Sequence, residues 1–357
     1  MTSLSTRLVE ALRVIPSMAS RTRRRRAPAL RTGDLRTLAV RALAVRALAT
    51  GALAALSWSA PAQDDALGDT IYVTLQGDDA VIELPAGDRW PAGSRMRHAT
   101  VSPDGRLVLA SAEGEDRIYA YDAGADELLS RIEVGKSPLG VKIGPQGELA
   151  IVANAGDGTV SFIDARTLEV GETVAVGKTP HAVVFSPEGA RAYVTLRGAA
   201  AIAILDVKSR RKVGELPAGA GARNADISPD GRTLYVANND SGDLAVIDIP
   251  RGRITGRVEL APPHGGVDVS PDGRWVYVTS TSGDTLNVID ARIVKLVDEV
   301  PVGMGPNGVR ASADGRRVYL ATGGNDKITV LDVGTMTIAA EVDAGKAPFW
   351  IAVPGNR

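Results

Sequence analysis

One short phrase in this sequence returns at a fixed distance. Variants of Ser-Pro-Asp-Gly follow one another 42 residues apart, and they begin at Ser102, Gly144, Ser186, Ser228, Ser270 and Ser312. A second column keeps the same step and consists of aspartates that end apolar stretches: Asp122, Asp164, Asp206, Asp248, Asp290 and Asp332. Two registers that share one period indicate a repeat protein, in which each repeat is a structural unit that packs against its neighbours.

Each repeat contains four short apolar runs. In the repeat that includes Ser228 they are NADIS, TLYVAN, LAVIDI and ITGRVEL, with glycine, proline, aspartate or asparagine between them. Such runs indicate strands joined by turns. Proline, aspartate and glycine suit successive positions of a type I turn, so the phrase should join the first strand to the second. Each aspartate of the second column should cap the turn after the third strand. Four strands on a period of about 40 residues are typical of a propeller blade.

The two ends of the repeat region complement each other. Residues 70–84 contain a second and a third strand with no first strand before them, and residues 348–353 contain a first strand with nothing after it. Joined in one sheet, they would leave neither terminus as an open sheet edge. We therefore predict an all-β fold over residues 70–357. It is a seven-bladed β-propeller with four antiparallel strands per blade, closed by a composite blade from both termini.

The first 62 residues differ from the repeats. They contain 11 arginines, no lysine and only two acidic residues, Glu10 and Asp34. An apolar run follows Arg46 and leads into Ser-Ala-Pro-Ala, an order typical of a secretory signal. We expect cleavage near Ala62, a short linker over residues 63–69, and a periplasmic or secreted mature protein. The apolar run is too short for a permanent transmembrane helix.

Removal of this segment changes the net charge. Basic residues fall from 41 to 30 and acidic residues from 42 to 40, so the formal charge changes from −1 to about −10. An acidic chain lacks the positive charge that dominates nucleic-acid affinity, so we expect no nucleic-acid partner. The absence of cysteine excludes disulfides, thiolate metal sites and cysteine nucleophiles. We expect a monomer.

The residues that break the repeat are candidates for recognition. They lie where the fourth strand of one blade should cross to the first strand of the next, around one end of the central channel, which we call the mouth. Aromatic, basic and amide groups gathered at a concave mouth predict a site for a protein or a small molecule. The residues are Arg97, His98, His181, an exposed Arg223, Asn224, His264, Asn307, Phe349 and Trp350. The alternative is that these are loop residues that face water, with Trp350 packed in a seam between blades.

The first strands alternate between apolar and mixed positions. One parity should line the channel, and its polar members are Thr100, Lys142, Asp226, Asp268 and Arg310. Two acids and two bases balance each other, which predicts an ion network that fills the channel. The alternative is that Asp226 and Asp268 form a pair with perturbed pKa values that acts as a general base or a cation site.

Patterns that resemble catalytic or cofactor motifs fail on their context. Residues 303–308 match a dinucleotide-binding pattern, but no helix follows to hold a pyrophosphate. The sequence has neither the Gly-x-Ser-x-Gly elbow of hydrolases nor the His-Glu-x-x-His motif of zinc proteases. The three histidines come from different blades and from different positions of the repeat, which argues against a zinc or copper site. We therefore predict no catalytic residue, no metal and no cofactor.

Three second strands carry a further signature: AYVTL at residues 192–196, LYVANN at 234–239 and VYVTS at 276–280. They resemble the YVTN repeats of seven-bladed propellers in surface-layer and exported bacterial proteins, some of them associated with alcohol oxidation that depends on pyrroloquinoline quinone (PQQ). The resemblance covers residues 70–357. It implies an exported, non-enzymatic binding or scaffold protein, such as an accessory to a periplasmic PQQ-dependent dehydrogenase. It also implies two alternatives, a lactonase-like hydrolase that uses the mouth, or a surface-layer or adhesion protein.

Overall fold

The computed structural model describes residues 66–356. These residues form seven four-stranded antiparallel sheets, arranged as the blades of a propeller, which confirms the predicted fold class. The predicted signal segment (residues 1–62) and the start of the predicted linker lie outside the described residues. Within residues 66–356, no helix is long and apolar enough to cross a membrane.

Every blade has its first strand next to the channel and its fourth strand outermost. The composite blade, blade 7, contains β28 (Pro348–Ala352) innermost, then β1 (Ile71–Leu75), β2 (Ala80–Leu84) and β3 (Arg89–Pro91). The strands of the other blades are given from the channel outwards: blade 1 contains β4 (Met96–Val101), β5 (Leu107–Ala112), β6 (Arg117–Asp122) and β7 (Glu127–Glu133), and blade 2 contains β8 (Pro138–Ile143), β9 (Leu149–Asn154), β10 (Thr159–Asp164) and β11 (Val170–Ala175). Blade 3 contains β12 (Pro180–Phe185), β13 (Arg191–Leu196), β14 (Ala201–Asp206) and β15 (Arg211–Pro217), and blade 4 contains β16 (Ala222–Ile227), β17 (Thr233–Asn238), β18 (Asp243–Asp248) and β19 (Arg253–Glu259). Blade 5 contains β20 (His264–Val269), β21 (Trp275–Ser280), β22 (Thr285–Asp290) and β23 (Lys295–Pro301), and blade 6 contains β24 (Pro306–Ala311), β25 (Arg317–Thr322), β26 (Lys327–Asp332) and β27 (Thr337–Asp343).

The ring closes through the composite blade, as predicted. Strand β28 pairs antiparallel with β1, with Ile351 opposite Val73. Each first strand contacts the first strand of the next blade, and β28 contacts both β24 and β4. Neither chain end therefore leaves an innermost strand without a neighbour.

Apolar clusters fill the seams between blades. Alternate side chains of a strand point to opposite faces of its sheet, so each blade contributes to two seams. In blade 4, Tyr235 packs in the seam with blade 5, whereas Leu234 and Val236 pack in the seam with blade 3. Tyr193 and Tyr277 occupy corresponding seam positions. The tyrosines of the YVTN-like strands are therefore core residues.

The two repeated polar columns form the turns that the sequence predicts. In the Ser228 turn, the Gly231 N–H donates to the Ser228 carbonyl oxygen (2.8 Å), and the Ser228 hydroxyl donates to Asp230 Oδ1 (2.6 Å). Gly231 has φ of +70°, a conformation that favours glycine. Each aspartate of the second column accepts hydrogen bonds from backbone N–H groups of the turn that follows the third strand. Both columns are structural.

The segment before β1 packs on the propeller. Leu67 is fully buried in the apolar cluster between blades 6 and 7. Its carbonyl oxygen accepts hydrogen bonds from the Tyr319 hydroxyl (2.6 Å) and from Arg317 Nη1 (2.5 Å). Leu67, near the end of the predicted linker, is therefore part of the packed core.

Every first strand has an irregular start. Its pairing register with the second strand shifts near the mouth, as between Met96 and Ala99 in β4 and between Pro180 and Val183 in β12. The same shift occurs in β8, β16, β20, β24 and β28. Residues within a shift leave the ladder, so their backbone N–H and C=O groups need other partners.

Hydroxyl groups of the second strands supply those partners in four blades. Thr195 Oγ1 accepts a hydrogen bond from the Ala182 N–H (2.8 Å) and donates one to the Arg223 carbonyl oxygen of the next blade (2.6 Å). Each such hydroxyl therefore hydrogen-bonds to the first strand of its own blade and to the first strand of the next blade, and so links the two blades. We call them the bridging hydroxyls: Thr74, Ser111, Thr195 and Thr279.

Deletion of Pro348–Arg357 should abolish cooperative unfolding. The deletion removes β28, exposes the edge of β1 and opens the ring. Circular dichroism during a thermal melt, together with light scattering, measures this, and we expect a broad transition and aggregation. Deletion of residues 355–357 alone keeps β28 and is the control. A protein without residues 348–357 that melts as sharply as the control would show that the ring closes in another way.

Candidate functional site

The register shifts of the first strands hold most of the non-repeating residues. Because a bulge takes side chains out of strict alternation, it re-aims them without disturbing the rest of the blade. The pairs of residues within the shifts differ in every blade, and they are Arg97–His98, Leu139–Gly140, His181–Ala182, Arg223–Asn224, Gly265–Gly266 and Asn307–Gly308. Phe349 lies in the shift of β28.

A cavity of about 140 Å³ opens at the mouth. Five of the predicted residues line it: Arg97, His98, His181, Arg223 and Phe349. The other lining residues are ones that the sequence analysis did not select: Glu113, Leu139, Thr179 and Arg197. We call these nine residues the mouth site.

Three arginines give the mouth site a positive charge. Arg97 Nε lies 2.5 Å from Glu113 Oε2, so that charge is paired. Within residues 66–356, no carboxylate lies at ion-pair distance from Arg197 or Arg223. Burial, together with the charges of Arg197 and Arg97, lowers the pKa of Arg223 to about 10, which still leaves its guanidinium charged at neutral pH. The mouth site therefore has more positive than negative charge.

Arg223 is less exposed than the sequence suggested. It is partly buried, and its Nη1 donates a hydrogen bond to the carbonyl oxygen of His264 in blade 5 (2.9 Å). Asn224 Nδ2 donates to the carbonyl oxygen of Gly265 (2.5 Å). These side chains replace a bridging hydroxyl, because the second strand of blade 4 has Ala237 at that position. The expectation of an exposed Arg223 is wrong, since the blade needs its inter-blade contact.

Trp350 and His98 form a stacked pair behind the mouth site. Their ring centroids are 3.7 Å apart and their planes are within 6° of parallel. The Arg310 guanidinium carbon lies 4.9 Å from the Trp350 ring centroid. Only 4% of the Trp350 surface is exposed, so it is not a surface residue that faces water. It supports the wall of the site by holding His98 in place.

Two further predicted residues do not reach the mouth site. His264 is fully buried, and its backbone N–H donates to Asn239 Oδ1 (2.9 Å). The Asn307 side chain donates to the carbonyl oxygen of Gly305 (3.2 Å), at the start of its own strand. The structure therefore gives His264 and Asn307 local contacts in blades 5 and 6 and does not bring them to the cavity.

Both histidines of the mouth site are neutral at physiological pH. Burial lowers the pKa of His98 well below its usual value, and the nearby His181 and Arg310 lower it further. Burial and the Arg223 guanidinium also lower the pKa of His181 well below its usual value. The Nδ1 atom of His181 is buried and has no hydrogen-bond partner. Such an atom at the wall of a cavity is suited to bind a ligand or a water molecule.

The five predicted channel residues lie farther from the mouth. Thr100, Lys142, Asp226 and Arg310 line cavities along the channel. Asp268 is buried, and its Oδ1 lies 3.2 Å from Arg310 Nη1. Burial raises the pKa of both aspartates, and the Arg310 charge opposes the rise. Within residues 66–356, no group of three or more histidine, aspartate or glutamate side chains is suited to hold a metal ion.

Two charged residues of the mouth site were missed although the sequence carried a signal for them. Glu113 and Arg197 directly follow the second strands β5 and β13. The residue at this position changes from blade to blade, as the first-strand residues do: Glu113, Ala155, Arg197, Asn239, Thr281 and Gly323. The change of residue type from blade to blade at this position, in a sequence whose other columns repeat, could therefore have identified Glu113 and Arg197 as candidate site residues.

Acidification should destabilise the protein through its buried histidines. Such a histidine stays neutral in the folded protein but takes up a proton on unfolding below about pH 6.5. Each histidine should therefore lower the free energy of unfolding by up to about 1.4 kcal/mol per pH unit as the pH decreases from 6.5 to 5. Asp268, whose pKa burial raises to about 7, acts in the opposite sense in both proteins, so the difference between the parent and a histidine variant is the informative quantity. His98→Phe keeps a ring against Trp350 and should make this dependence shallower. Urea unfolding of both proteins across this pH range measures the difference, and equal slopes would contradict the assignment.

Comparison with known proteins identifies the family of the chain. Residues 91–262 and 131–351 match the model of a family described as lactonase, 7-bladed beta-propeller. The matched residues extend from the end of β3 to β28, and so include all seven first strands. A comparison with curated protein sequences gives no match.

Solved structures with the same fold have low sequence identity to this chain. Hydrazine synthase of Kuenenia stuttgartiensis aligns with a TM-score of 0.68 at 22% identity, over 74% of this chain and 92% of that one. A protein of unknown function from Desulfotomaculum acetoxidans gives 0.71 at 14% identity, over 81% and 100%. The dihydro-heme d1 dehydrogenase NirN in complex with DHE gives 0.61 at 18% identity, over 80% and 75%. These structures share the fold, and the family model covers most of the chain. The protein therefore belongs to the seven-bladed β-propeller lactonase family.

Proposed function

We propose that the protein is a recognition propeller that binds a small organic anion at the mouth site without converting it. The observation that carries this proposal is the grouping of Arg97, Arg197 and Arg223 around a cavity that has one carboxylate, Glu113. Glu113 is itself held by Arg97 and Arg95. The positive charge left on the other two arginines favours an anionic ligand.

The remaining groups of the mouth site suit an organic carboxylate or phosphate. A planar guanidinium forms two parallel hydrogen bonds to either group, and partial desolvation strengthens them. The Nδ1 atom of neutral His181 can accept one further hydrogen bond, from a hydroxyl group on the organic body of the ligand. Phe349 supplies an apolar wall and is held by Arg97, whose guanidinium carbon lies 5.2 Å from the ring centroid. A ligand with one anionic end and a short organic body fits these features.

The mouth site is poorly equipped with a general base. An efficient base has a pKa near the working pH. The pKa values of His98 and His181 lie well below that range because both rings are buried. The Glu113 carboxylate forms ion pairs with Arg95 and Arg97, and these contacts do not favour a proton-transfer role. These features support binding over catalysis.

Hydrolysis of a lactone is the second candidate function, and family membership favours it. Attack of water on the lactone carbonyl places negative charge on its oxygen, which Arg197 or Arg223 would stabilise. His181 would be the base. The product, a hydroxy acid, is itself an organic anion of the kind the mouth site suits. Product formation therefore separates the two candidates, whereas anion binding alone does not.

We also propose where the protein acts: outside the cytoplasm, as an accessory protein. The signal-like N-terminal segment supports export to the periplasm or the medium. The YVTN-like second strands support a place among the exported propellers, including those associated with PQQ-dependent alcohol oxidation. In that setting the protein would be a non-enzymatic accessory, and the mouth site would receive an organic acid or an acidic group of a partner protein.

Arg197→Met should weaken anion binding without changing stability. Arg197 is exposed and its guanidinium forms no ion pair within residues 66–356, so its loss removes positive charge and leaves the fold intact. We expect isothermal titration with gluconate and 6-phosphogluconate to show a loss of about 1–3 kcal/mol in binding free energy. Arg223→Met should lose as much and also lower the melting temperature. Arg211→Met, an exposed arginine on the outer strand β15, is the matched control.

Two results decide between the candidates. If the folded parent protein binds neither probe, or if Arg197→Met binds them as tightly as the Arg211→Met control, the proposed anion site is wrong. If titration at constant pH shows that the parent opens glucono-δ-lactone faster than the buffer does, and Arg197→Met does not, lactone hydrolysis replaces binding as the function.

A further inference from the structure

The channel has a second end, which bears the Ser-Pro-Asp-Gly turns and differs chemically from the mouth. One residue per blade lines the channel towards this end, and the set, in blade order, is Thr100, Lys142, Val184, Asp226, Asp268, Arg310 and Ala352. Two members are cationic, two are anionic and two are apolar. The ring of charges is therefore interrupted at Val184 of blade 3, between Lys142 of blade 2 and Asp226 of blade 4.

Half of these charges neutralise each other on one side of the channel. Arg310 Nη1 lies 3.2 Å from Asp268 Oδ1, and Asp268 Oδ2 accepts a hydrogen bond from the Ala311 N–H (2.7 Å). Asn356 covers this side of the channel, with its Nδ2 donating to the Ala311 carbonyl oxygen (2.7 Å). Asp268 and Arg310 are thus paired with each other, although Arg310 also borders the channel cavities.

The other side of the channel is open. A cavity of about 170 Å³, which we call the turn-end cavity, lies against blade 3. Lys142 and Asp226 flank it, and its apolar wall includes Val184, Phe185 and Pro187. Arg310, already paired with Asp268, and Asn356 also border it. The volume is below the ~300 Å³ typical of sites for drug-sized ligands, so the cavity suits a smaller molecule.

The two flanking charges respond to each other across the cavity. Burial and the nearby Arg310 charge lower the pKa of Lys142 to about 8, and the Asp226 charge opposes that change. Burial raises the pKa of Asp226, and the charges of Arg310 and Lys142 oppose it. Each group is therefore partly desolvated and would gain from an additional opposite charge close by.

We propose that the turn-end cavity binds a zwitterionic amino acid with a small apolar side chain. Its carboxylate would face Lys142, its ammonium group would face Asp226, and its side chain would pack against Val184 and Phe185. This inference goes beyond the function proposed for the mouth site, which lies at the opposite end of the channel.

Other ligand classes fit the turn-end cavity less well. A simple anion would pair with Lys142 but would lie beside the Asp226 carboxylate, and like charges in a desolvated site repel. A purely apolar molecule would displace water from both charged groups and return no hydrogen bond. A ligand with both charges and an apolar part interacts favourably with Lys142, Asp226 and the apolar wall together.

L-Leucine and two of its analogues test the proposal in the parent protein. 4-Methylpentanoate lacks the ammonium group and isopentylamine lacks the carboxylate, while both keep the apolar body. In isothermal titration of the parent protein we expect L-leucine to bind at least tenfold more tightly than either analogue. If 4-methylpentanoate binds as tightly as leucine, the cavity is an anion site and the proposal is wrong. If the folded parent shows no heat of binding with leucine at millimolar concentration, the proposal is also wrong.

Three variants locate the binding. Lys142→Met and Asp226→Asn should each weaken leucine binding at least tenfold, and Val184→Phe should abolish it by filling the cavity. Arg197→Met, at the other end of the channel, should bind leucine as the parent does. Thermal melts identify any variant that fails to fold, and the comparison of analogues in the parent does not depend on them. Unchanged leucine binding in folded Val184→Phe would place the ligand elsewhere and overturn the assignment.

Discussion

The fold depends on how the inner edges of seven first strands satisfy their backbone groups. Each of these strands pairs with a second strand on one side only, and its other edge faces the channel. A buried backbone group without a hydrogen-bond partner lowers the stability of the fold by about 1–3 kcal/mol. Side chains must therefore hydrogen-bond to the backbone groups of this edge. The bridging hydroxyls do so near the mouth. Thr100, Asp226 and Asp268 do so farther along, each accepting a hydrogen bond from a backbone N–H that lies 43 residues later, in the next blade.

The same inner positions decide what the protein can bind. Seam and turn residues repeat because every blade needs them, whereas the residues in the register shifts are free to differ. At the mouth they present guanidinium groups, and at the turn end the channel presents a cation, an apolar wall and an anion. Trp350 lies between these two ends, since it contacts both His98 of the mouth site and Arg310 of the channel. One structural requirement, the satisfaction of an inner edge, therefore produces two chemically different cavities.

The sequence predicts the fold well because the columns that repeat report directly on turns and seams. The Ser228 turn and the Tyr235 seam position follow from local chemistry alone. The mouth site was predicted only in part. Arg223 was expected to be exposed, but a register shift that the sequence does not reveal turns it into the wall of the mouth site. Arg197 comes from the end of a second strand, and its approach to the cavity depends on how neighbouring blades are rotated.

The bridging hydroxyls give the most direct test of this account. Thr279 Oγ1 accepts from the Gly266 N–H and donates to the Asn307 carbonyl oxygen of the next blade, at 2.7 Å in each case. Thr279→Val keeps the shape and leaves both backbone groups buried without a partner. Urea unfolding should show a loss of about 1–3 kcal/mol for each group relative to the parent, while Thr173→Val on the outer strand β11 should change little. A Thr279→Val protein as stable as the Thr173→Val control would contradict the claim that side chains must satisfy the inner edge.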